Sequence, residues 1–221
     1  MKALIPNRYL FDFEFPLSYR RSPPKIDGDV GDWGDAERLP RWGELDHTPE
    51  FADVWACWNE SGLYLACRVQ GKRGALHCDM KGPWTGDHLR LCTDMRDARS
   101  AKRATRYCQM FYFLPTGGGR SGDKPHACDA QVPRAQVNAP QIAPGRIPVA
   151  ATLVEDGYVL EAHLPSDVLA GFDPVEHPRI GLYYSLTDAD LGQQAFTVGD
   201  DLYASSDPSS WPTAVLTQNS P

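Results

Sequence analysis

The densest group of side chains that could bind a cation lies between Lys25 and Pro40, in "KIDGDVGDWGDAERLP". The carboxylates of this stretch are Asp27, Asp29, Asp32, Asp35 and Glu37. An EF-hand loop starting at Asp27 would need Asp or Asn at its fifth position and Glu at its twelfth. Those positions hold Gly31 and Arg38. We therefore predict a turn and a short helix whose acids lie near its positive N-terminal end, and structural calcium remains an open alternative.

Two His–Cys pairs could supply soft ligands to a zinc ion. His77 is adjacent to Cys78, and His126 lies two residues before Cys128. Adjacent residues rarely bind the same ion, so this spacing argues against zinc. Heme would need a Met and His pair, and none can be selected from Met80, Met110, His77 and His88. The sequence therefore assigns no metal ion and no cofactor.

The familiar sequence signatures of catalysis are missing. The glycine-rich segment "TGGGRSGD" has no GK[ST] ending and no following helix, so it is not a phosphate-binding loop. The sequence has no G-x-S-x-G nucleophile elbow. A glycosidase needs two carboxyl groups at a fixed separation, and no such pair can be selected from sequence alone. We therefore expect a protein that is not an enzyme.

Composition and charge exclude several classes of partner. The chain has 221 residues, of which 42% are apolar and 23% charged, which suits a single globular domain over residues 1–221. Its net charge of −7 argues against binding nucleic acid or an anionic membrane. The apolar residues after Lys2 are interrupted at Pro6, which is unlike a signal peptide. Together with six scattered cysteines, this predicts a cytoplasmic protein with reduced thiols.

The elements that must position any site are predicted to be β-strands. Apolar residues alternate with polar ones in nine or ten short segments, and 19 Gly and 19 Pro supply turns. Hairpins are predicted around "NESG" and "EDG". In "YLFDFEFPL" the aromatic residues Tyr9, Phe11, Phe13 and Phe15 share one face, which predicts a first strand with that face buried. The fold class is all-β, a jelly-roll-like antiparallel sandwich with one or two short helical turns.

Three segments depart from this alternation. Residues 1–24 are predicted to be an added N-terminal edge strand and linker. Residues 115–148 are rich in Gly, Pro and polar residues and are predicted to form a long surface loop, which in a compact domain is usually functional. Residues 95–106 are predicted as a short arginine-bearing helix, and residues 166–171 as one helical turn.

Six short motifs follow one another along the chain. They are Ile26-Asp27-Gly28 with Trp33 and Ala36; Trp58-Asn59 with Leu63-Tyr64; Trp84 with Asp87 and Asp94; Gly157-Tyr158 with Glu161 and Pro165; Ile180-Gly181 with Asp188–Asp190; and Asp207–Ser209. In this order they resemble the family 9 carbohydrate-binding modules and the wider DOMON-like group of β-sandwich domains. The resemblance implies a non-catalytic domain that binds a carbohydrate or similar polar small molecule on a concave face.

The sugar sites of that family hold a pyranose between two Trp rings, and the first ring corresponds to Trp84. The second falls on Ser205, where nearby Trp211 could substitute, although the position of Trp211 also matches a packed aromatic of the family. A carboxylate of the family falls on Arg90, and its Arg and Asn positions fall on two phenylalanines, Phe111 and Phe113. The predicted ligand-binding residues are Trp84, Arg90, Asp188, Gln194 and Trp211. The alternative is a sandwich that has lost the sugar site and binds a protein partner.

Overall fold

In the computed structural model, which describes residues 7–218, nearly all the regular structure is β-strand. The strands are β1 Glu14–Tyr19, β2 Ala52–Asn59, β3 Gly62–Gln70, β4 His88–Asp94, β5 Cys108–Gly118, β6 Lys124–Ala130, β7 Val149–Val154, β8 Gly157–Pro165, β9 Arg179–Asp188, β10 Gly192–Ala195 and β11 Thr213–Thr217. Six 3-10 helices complete it: η1 Asn7–Leu10, η2 Val30–Asp32, η3 Asp35–Glu37, η4 Trp42–Asp46, η5 Asp200–Leu202 and η6 Pro208–Ser210. None of these helices, within the described range, is long and apolar enough to cross a bilayer.

The strands form one nearly closed sheet in the order β6-β5-β4-β9-β11-β1-β2-β3-β8-β7, and β10 pairs with β9. The β2–β3 and β7–β8 hairpins form at the two predicted turns. Both halves of the sheet are antiparallel, and β1 joins them by running parallel to β11 on one side and β2 on the other. The predicted all-β sandwich is confirmed, with this one parallel strand as an addition.

The core lies between the two halves and is built by period-two alternation. At one level of the sheet Leu89 pairs with Phe113 and with Leu186, and all three are buried. The neighbouring level carries Leu91 and Phe111 on the same side. Because successive side chains of a strand point to opposite faces, the residues between them lie on the outer face. This alternation separates the core from the polar face described below.

The N-terminal prediction is wrong in two respects. Residues 7–13 are not strand, and Tyr9 and Phe11 are 53% and 57% exposed, while the first six residues of the predicted segment lie outside the described range. Arg8 holds this segment in a 3-10 turn by donating to Asp46 and to the carbonyl of Ala195. In addition, β1 lies inside the sheet between two partners, so it is not an added edge strand.

The predicted loop over residues 115–148 is interrupted by edge strand β6, which pairs with β5. The turn between them is closed by a 2.8 Å hydrogen bond from Gly117 N–H to the carbonyl of Gly122. The predicted helix over residues 95–106 does not form, and that segment is a series of turns. The segment 166–171 is also turn rather than regular helix.

The N-terminal motif is fixed to the sheet by one buried carboxylate, Glu161 of β8. Its Oε2 accepts hydrogen bonds from the backbone N–H groups of Asp27, Gly28 and Asp29, the shortest at 2.6 Å. Its Oε1 accepts the indole N–H of Trp33 at 2.7 Å. Gly28 has a φ of 87°, and a Cβ there would lie 2.5 Å from the Thr152 hydroxyl. The motif is therefore a docking element for the outer face of β8.

We predict that Glu161→Gln lowers the free energy of unfolding by at least about 2 kcal/mol, because an amide brings N–H groups against donors that need an acceptor. Urea unfolding followed by tryptophan fluorescence measures this loss. Glu155→Gln on the exposed β7–β8 turn is the control and should change stability by less than about 0.5 kcal/mol. Equal midpoints for the two variants would contradict the proposed role of Glu161.

Candidate functional site

Polar side chains of the neighbouring strands β5, β4 and β9 point away from the core. We call this outer side of the three strands the β4–β9 face. Arg90 lies at its centre, paired with Tyr112 on β5 and with Ser185 on β9. His88 occupies the next level of β4 and contacts the ring of Tyr112 edge-on, with centroids 5.2 Å apart. Gln193 on β10 pairs with Thr187 of β9 and borders the face. The β4–β9 face is thus a polar layer backed by the apolar core, and its central residues His88, Arg90, Tyr112 and Ser185 are themselves buried.

An ion pair between Arg90 and Asp200 dominates this face. Nη2 of Arg90 lies 2.8 Å from both carboxylate oxygens of Asp200, which begins η5. The Arg90 side chain is 7% exposed, whereas that of Asp200 is 41% exposed. Burial alone would raise the pKa of Asp200, but the charge and hydrogen bonds of Arg90 outweigh burial and lower it. The carboxylate is therefore ionised and presented to solvent.

Two polar atoms behind this ion pair are buried with no hydrogen-bond partner among the described residues. They are Nε of Arg90 and the hydroxyl of Ser185. A buried polar group without a partner costs free energy, so it needs an explanation in each structure where it occurs. Both atoms belong to residues paired across β4 and β9 at the level of Asp200. Part of the unused hydrogen-bonding capacity of the described residues therefore lies at the centre of the β4–β9 face.

Two exposed aromatic rings belong to segments connected to the β4–β9 face: one precedes β4, and the other follows Asp200 in the chain. Trp84 is 60% exposed, in a tight turn closed by Gly82 and Thr85 just before β4. Tyr203 is 67% exposed and ends η5 in the left-handed conformation, with a φ of 59°. The sequence prediction placed a second ring near Ser205 and overlooked Tyr203. An aromatic residue in the polar loop "GDDLYASSDPSS" was the signal that could have identified it.

The loop that carries Trp84 is anchored by Asp87, which is fully buried. Its carboxylate accepts the backbone N–H of His77 at 2.8 Å and that of Ala189 at 2.7 Å. The ammonium of Lys72 lies 3.2 Å from Asp87 and 3.2 Å from Asp188. Burial alone would lower the pKa of Lys72, but its bonds to both carboxylates raise it, so the lysine stays charged. These bonds join the Trp84 loop to the end of β9.

Asp188 therefore holds the Trp84 loop in place and is itself 2% exposed. Gln194 points into the core, where its amide bonds the backbone of Phe51 and Ala52 at 2.9–3.0 Å. Trp211 is fully buried, and its indole N–H donates to the carbonyl of Ala204. Of the five predicted ligand-binding residues, only Trp84 is exposed. The other four are buried and make their contacts within the chain. Asp200 lies on the solvent side of Arg90.

The two phenylalanines that motivated the alternative prediction do not lie on the β4–β9 face. Phe111 and Phe113 are fully buried and face the core. The outward positions of β5 are held instead by Met110 and Tyr112. Because successive residues of a strand face opposite sides, the two positions chosen from the sequence are core positions of β5.

The described carboxylates do not fit the structural calcium that the sequence left open. The acidic stretch uses its carboxylates locally: Asp29 accepts the N–H of Gly31, Asp32 that of Lys25, and Glu37 that of Gly34. Where Asp87, Asp188 and Asp190 converge, they surround the ammonium of Lys72. No set of three His, Cys, Asp or Glu residues within 7–218 is arranged to hold a metal ion. The ammonium of Lys72 supplies the positive charge in this cluster of carboxylates.

We predict that Lys72→Met destabilises the protein by about 3–5 kcal/mol, because it leaves buried carboxylates without their cation. Chemical unfolding measures the loss, and Lys124→Met on the exposed part of β6 is the control. If added Ca²⁺ raised the stability of the wild-type protein, the interpretation of Lys72 as the cation of this cluster would be wrong.

His88 is buried on the β4–β9 face, and burial lowers its pKa from 6.5 to about 4. One ring nitrogen, Nδ1, lies 3.0 Å from the carbonyl of Gly86 and donates to it in the neutral ring. The unfolded chain would bind a proton near pH 6.5, before the folded protein does. Acid therefore favours the unfolded state over this interval.

We predict that stability falls by up to about 3 kcal/mol as the pH is lowered from 6.5 toward 4, through His88 alone. Unfolding at several pH values isolates this contribution when wild type is compared with His88→Gln, whose curve should be flatter. His47→Gln on an exposed turn serves as the control. Parallel curves for wild type and His88→Gln would show that His88 is not the titrating group.

No protein-family model matches the sequence, and no curated protein matches it. Solved structures do match. One is a family 9 carbohydrate-binding module from Caldicellulosiruptor kristjanssonii in complex with cellotriose, at 18% identity and a TM-score of 0.64 over 94% of this chain and 95% of that one. Another is such a module from the same organism in complex with glucose, at 17% identity and a TM-score of 0.63 over 94% and 97%. The chain therefore has the fold of a family 9 carbohydrate-binding module.

Proposed function

We propose that this protein is a non-catalytic domain that binds a carbohydrate on the β4–β9 face. The observation that carries the proposal is the exposed ring of Trp84, on a loop that buried ionic bonds fix at the start of β4. The fold supports it, because similar modules have been solved with cellotriose and with glucose bound.

The chemistry of a sugar suits this arrangement. A pyranose has an apolar C–H surface that packs on an aromatic ring, and hydroxyl groups around its rim that need fixed hydrogen-bond partners. Trp84 and Tyr203 offer exposed rings. Asp200 and Gln193 offer an acceptor and an amide, 3.5 Å apart. Because Asp200 begins η5 and Tyr203 ends it, the 3-10 turn that carries the tyrosine ring also carries the acceptor.

Preorganisation of the Trp84 loop should favour affinity. Asp87 is fixed by two backbone N–H groups and by Lys72 before any ligand arrives. Since the loop is already ordered, binding does not have to supply the entropy cost of fixing it. Such a loop presents the ring in one place, which is what a binding surface requires.

The same face does not resemble a glycosidase centre. Hydrolysis would need two carboxyl groups on opposite sides of a glycosidic bond. The carboxylates that we find on the outer side of β4 are both engaged within the chain: Asp200 is paired with Arg90, and Asp94 is buried and accepts the backbone N–H groups of Arg96 and Ala98. These residues support binding rather than bond cleavage.

We predict that isothermal titration with glucose and cello-oligosaccharides detects binding, and that Trp84→Ala weakens it at least about tenfold, because an exposed stacking ring is lost. Tyr203→Ala should weaken it in the same direction. Leu153→Ala removes an exposed apolar side chain from β7, in the other half of the sheet, and should leave affinity unchanged. Since these side chains are exposed, unfolding midpoints should stay close to wild type and confirm intact folding.

Two results would contradict the proposal. The first is that no carbohydrate binds in titration or on a glycan array, which would favour the alternative of a sandwich that binds a protein partner. The second is that Trp84→Ala and Leu153→Ala bind equally well, which would exclude the surface beside Trp84 as the site.

A further inference from the structure

We infer that Asp200 is the polar group that meets the ligand, that Arg90 is its positioning residue, and that the site therefore selects sugars by charge. An ammonium-bearing sugar is favoured, a neutral sugar is accepted, and a carboxylate-bearing sugar is disfavoured. This inference rests on the proposed function. It assigns to Asp200 the direct ligand contact that the sequence had predicted for Arg90.

The difference in exposure within the ion pair decides which partner a ligand meets. The guanidinium of Arg90 is almost completely covered, whereas two fifths of the Asp200 side chain is open to solvent. A ligand that approaches the β4–β9 face would therefore reach the carboxylate first. The same arginine nitrogen holds both carboxylate oxygens at 2.8 Å. A carboxylate has about four lone-pair directions, so acceptor capacity remains for ligand hydroxyl or ammonium groups.

Arg90 acts on the ligand through Asp200. It extends from the middle of β4, where pairing with β5 and β9 fixes its backbone. Asp200, in contrast, belongs to a three-residue 3-10 helix in a long connection. The ion pair ties that connection, and Tyr203 with it, to the sheet. Removing the guanidinium would free Asp200 to move and would also leave a stronger net negative charge.

The charge left at the surface is negative, although Arg90 offsets part of it. His88, the other basic side chain of the β4–β9 face, is buried and neutral near pH 7 because burial lowers its pKa to about 4. The whole chain carries a net charge of −7, which adds to the negative potential. A carboxylated sugar would therefore meet a like charge, and an amino sugar an opposite one.

The test measures binding of glucose, glucosamine and glucuronate by titration calorimetry at pH 6.5 and low salt, for wild type and Asp200→Asn. We expect wild type to bind glucosamine at least about fivefold more tightly than glucuronate, and Asp200→Asn to lose most of this ratio. Asp123→Asn, on the β5–β6 turn, is the control and should keep it. Raising the salt concentration should reduce the ratio in wild type.

Arg90→Gln separates positioning from direct contact. If Arg90 positions Asp200, this variant binds glucose more weakly, yet its glucosamine preference is kept or increased, because the carboxylate has lost its partner. Circular dichroism and the unfolding midpoint establish that the variant is folded. Should it fail to fold, the wild-type and Asp200→Asn ratios decide the matter alone.

The possible failures are distinguishable. A wild-type preference for glucuronate would mean that the ligand meets Arg90, and would overturn the inference. Equal glucosamine-to-glucuronate affinity ratios for wild type and Asp200→Asn would also overturn the inference. In that case, glucose binding that depends on Trp84 would still leave the proposed function intact. If none of the three sugars binds, nor any longer glucan, the proposed function and the inference fail together.

Discussion

A buried charge is tolerated only when other groups satisfy it, and this requirement fixes the architecture around the candidate site. Lys72, Asp87 and Asp188 come from three separate stretches of chain, and each is almost completely buried. Separating any of them from the others would leave a charge in a medium of low dielectric constant, at a cost of several kcal/mol. The chain after β3, the loop before β4 and the end of β9 therefore occupy one arrangement. Trp84 has a defined place because of it.

The N-terminal segment depends on the same kind of constraint. Glu161 gathers four N–H donors from a stretch that has little regular structure of its own. In both places a short motif of the sequence is fixed by a hub of hydrogen bonds, centred on Glu161 for the N-terminal motif and on Asp87 for the Trp84 motif. The proposed binding surface uses side chains that these hubs leave exposed.

The sequence predicted the strands well where alternation is strong, as in the β2–β3 and β7–β8 hairpins. It failed where tertiary contacts override the local pattern. The bonds made by Arg8 hold the start of an alternating aromatic segment, Asn7–Leu10, in a 3-10 helix. Strand β6 was missed because its mostly half-buried side chains mix polar and apolar residues without a clear alternation. Site residues were harder still. No local signal shows that Gln194 points into the core or that Asp188 meets a lysine far along the chain.

The position of β1 governs the order in which this molecule can be assembled. Leu17 of β1 accepts a hydrogen bond from the Thr217 hydroxyl, 200 residues further along the chain. During synthesis, the edge of β1 that pairs with β11 therefore stays unpaired until nearly all the other strands have emerged. Contacts of such long separation are slow to form, and a waiting strand edge can pair with the wrong chain. The junction between the two halves of the sheet is thus the last part of the fold to close.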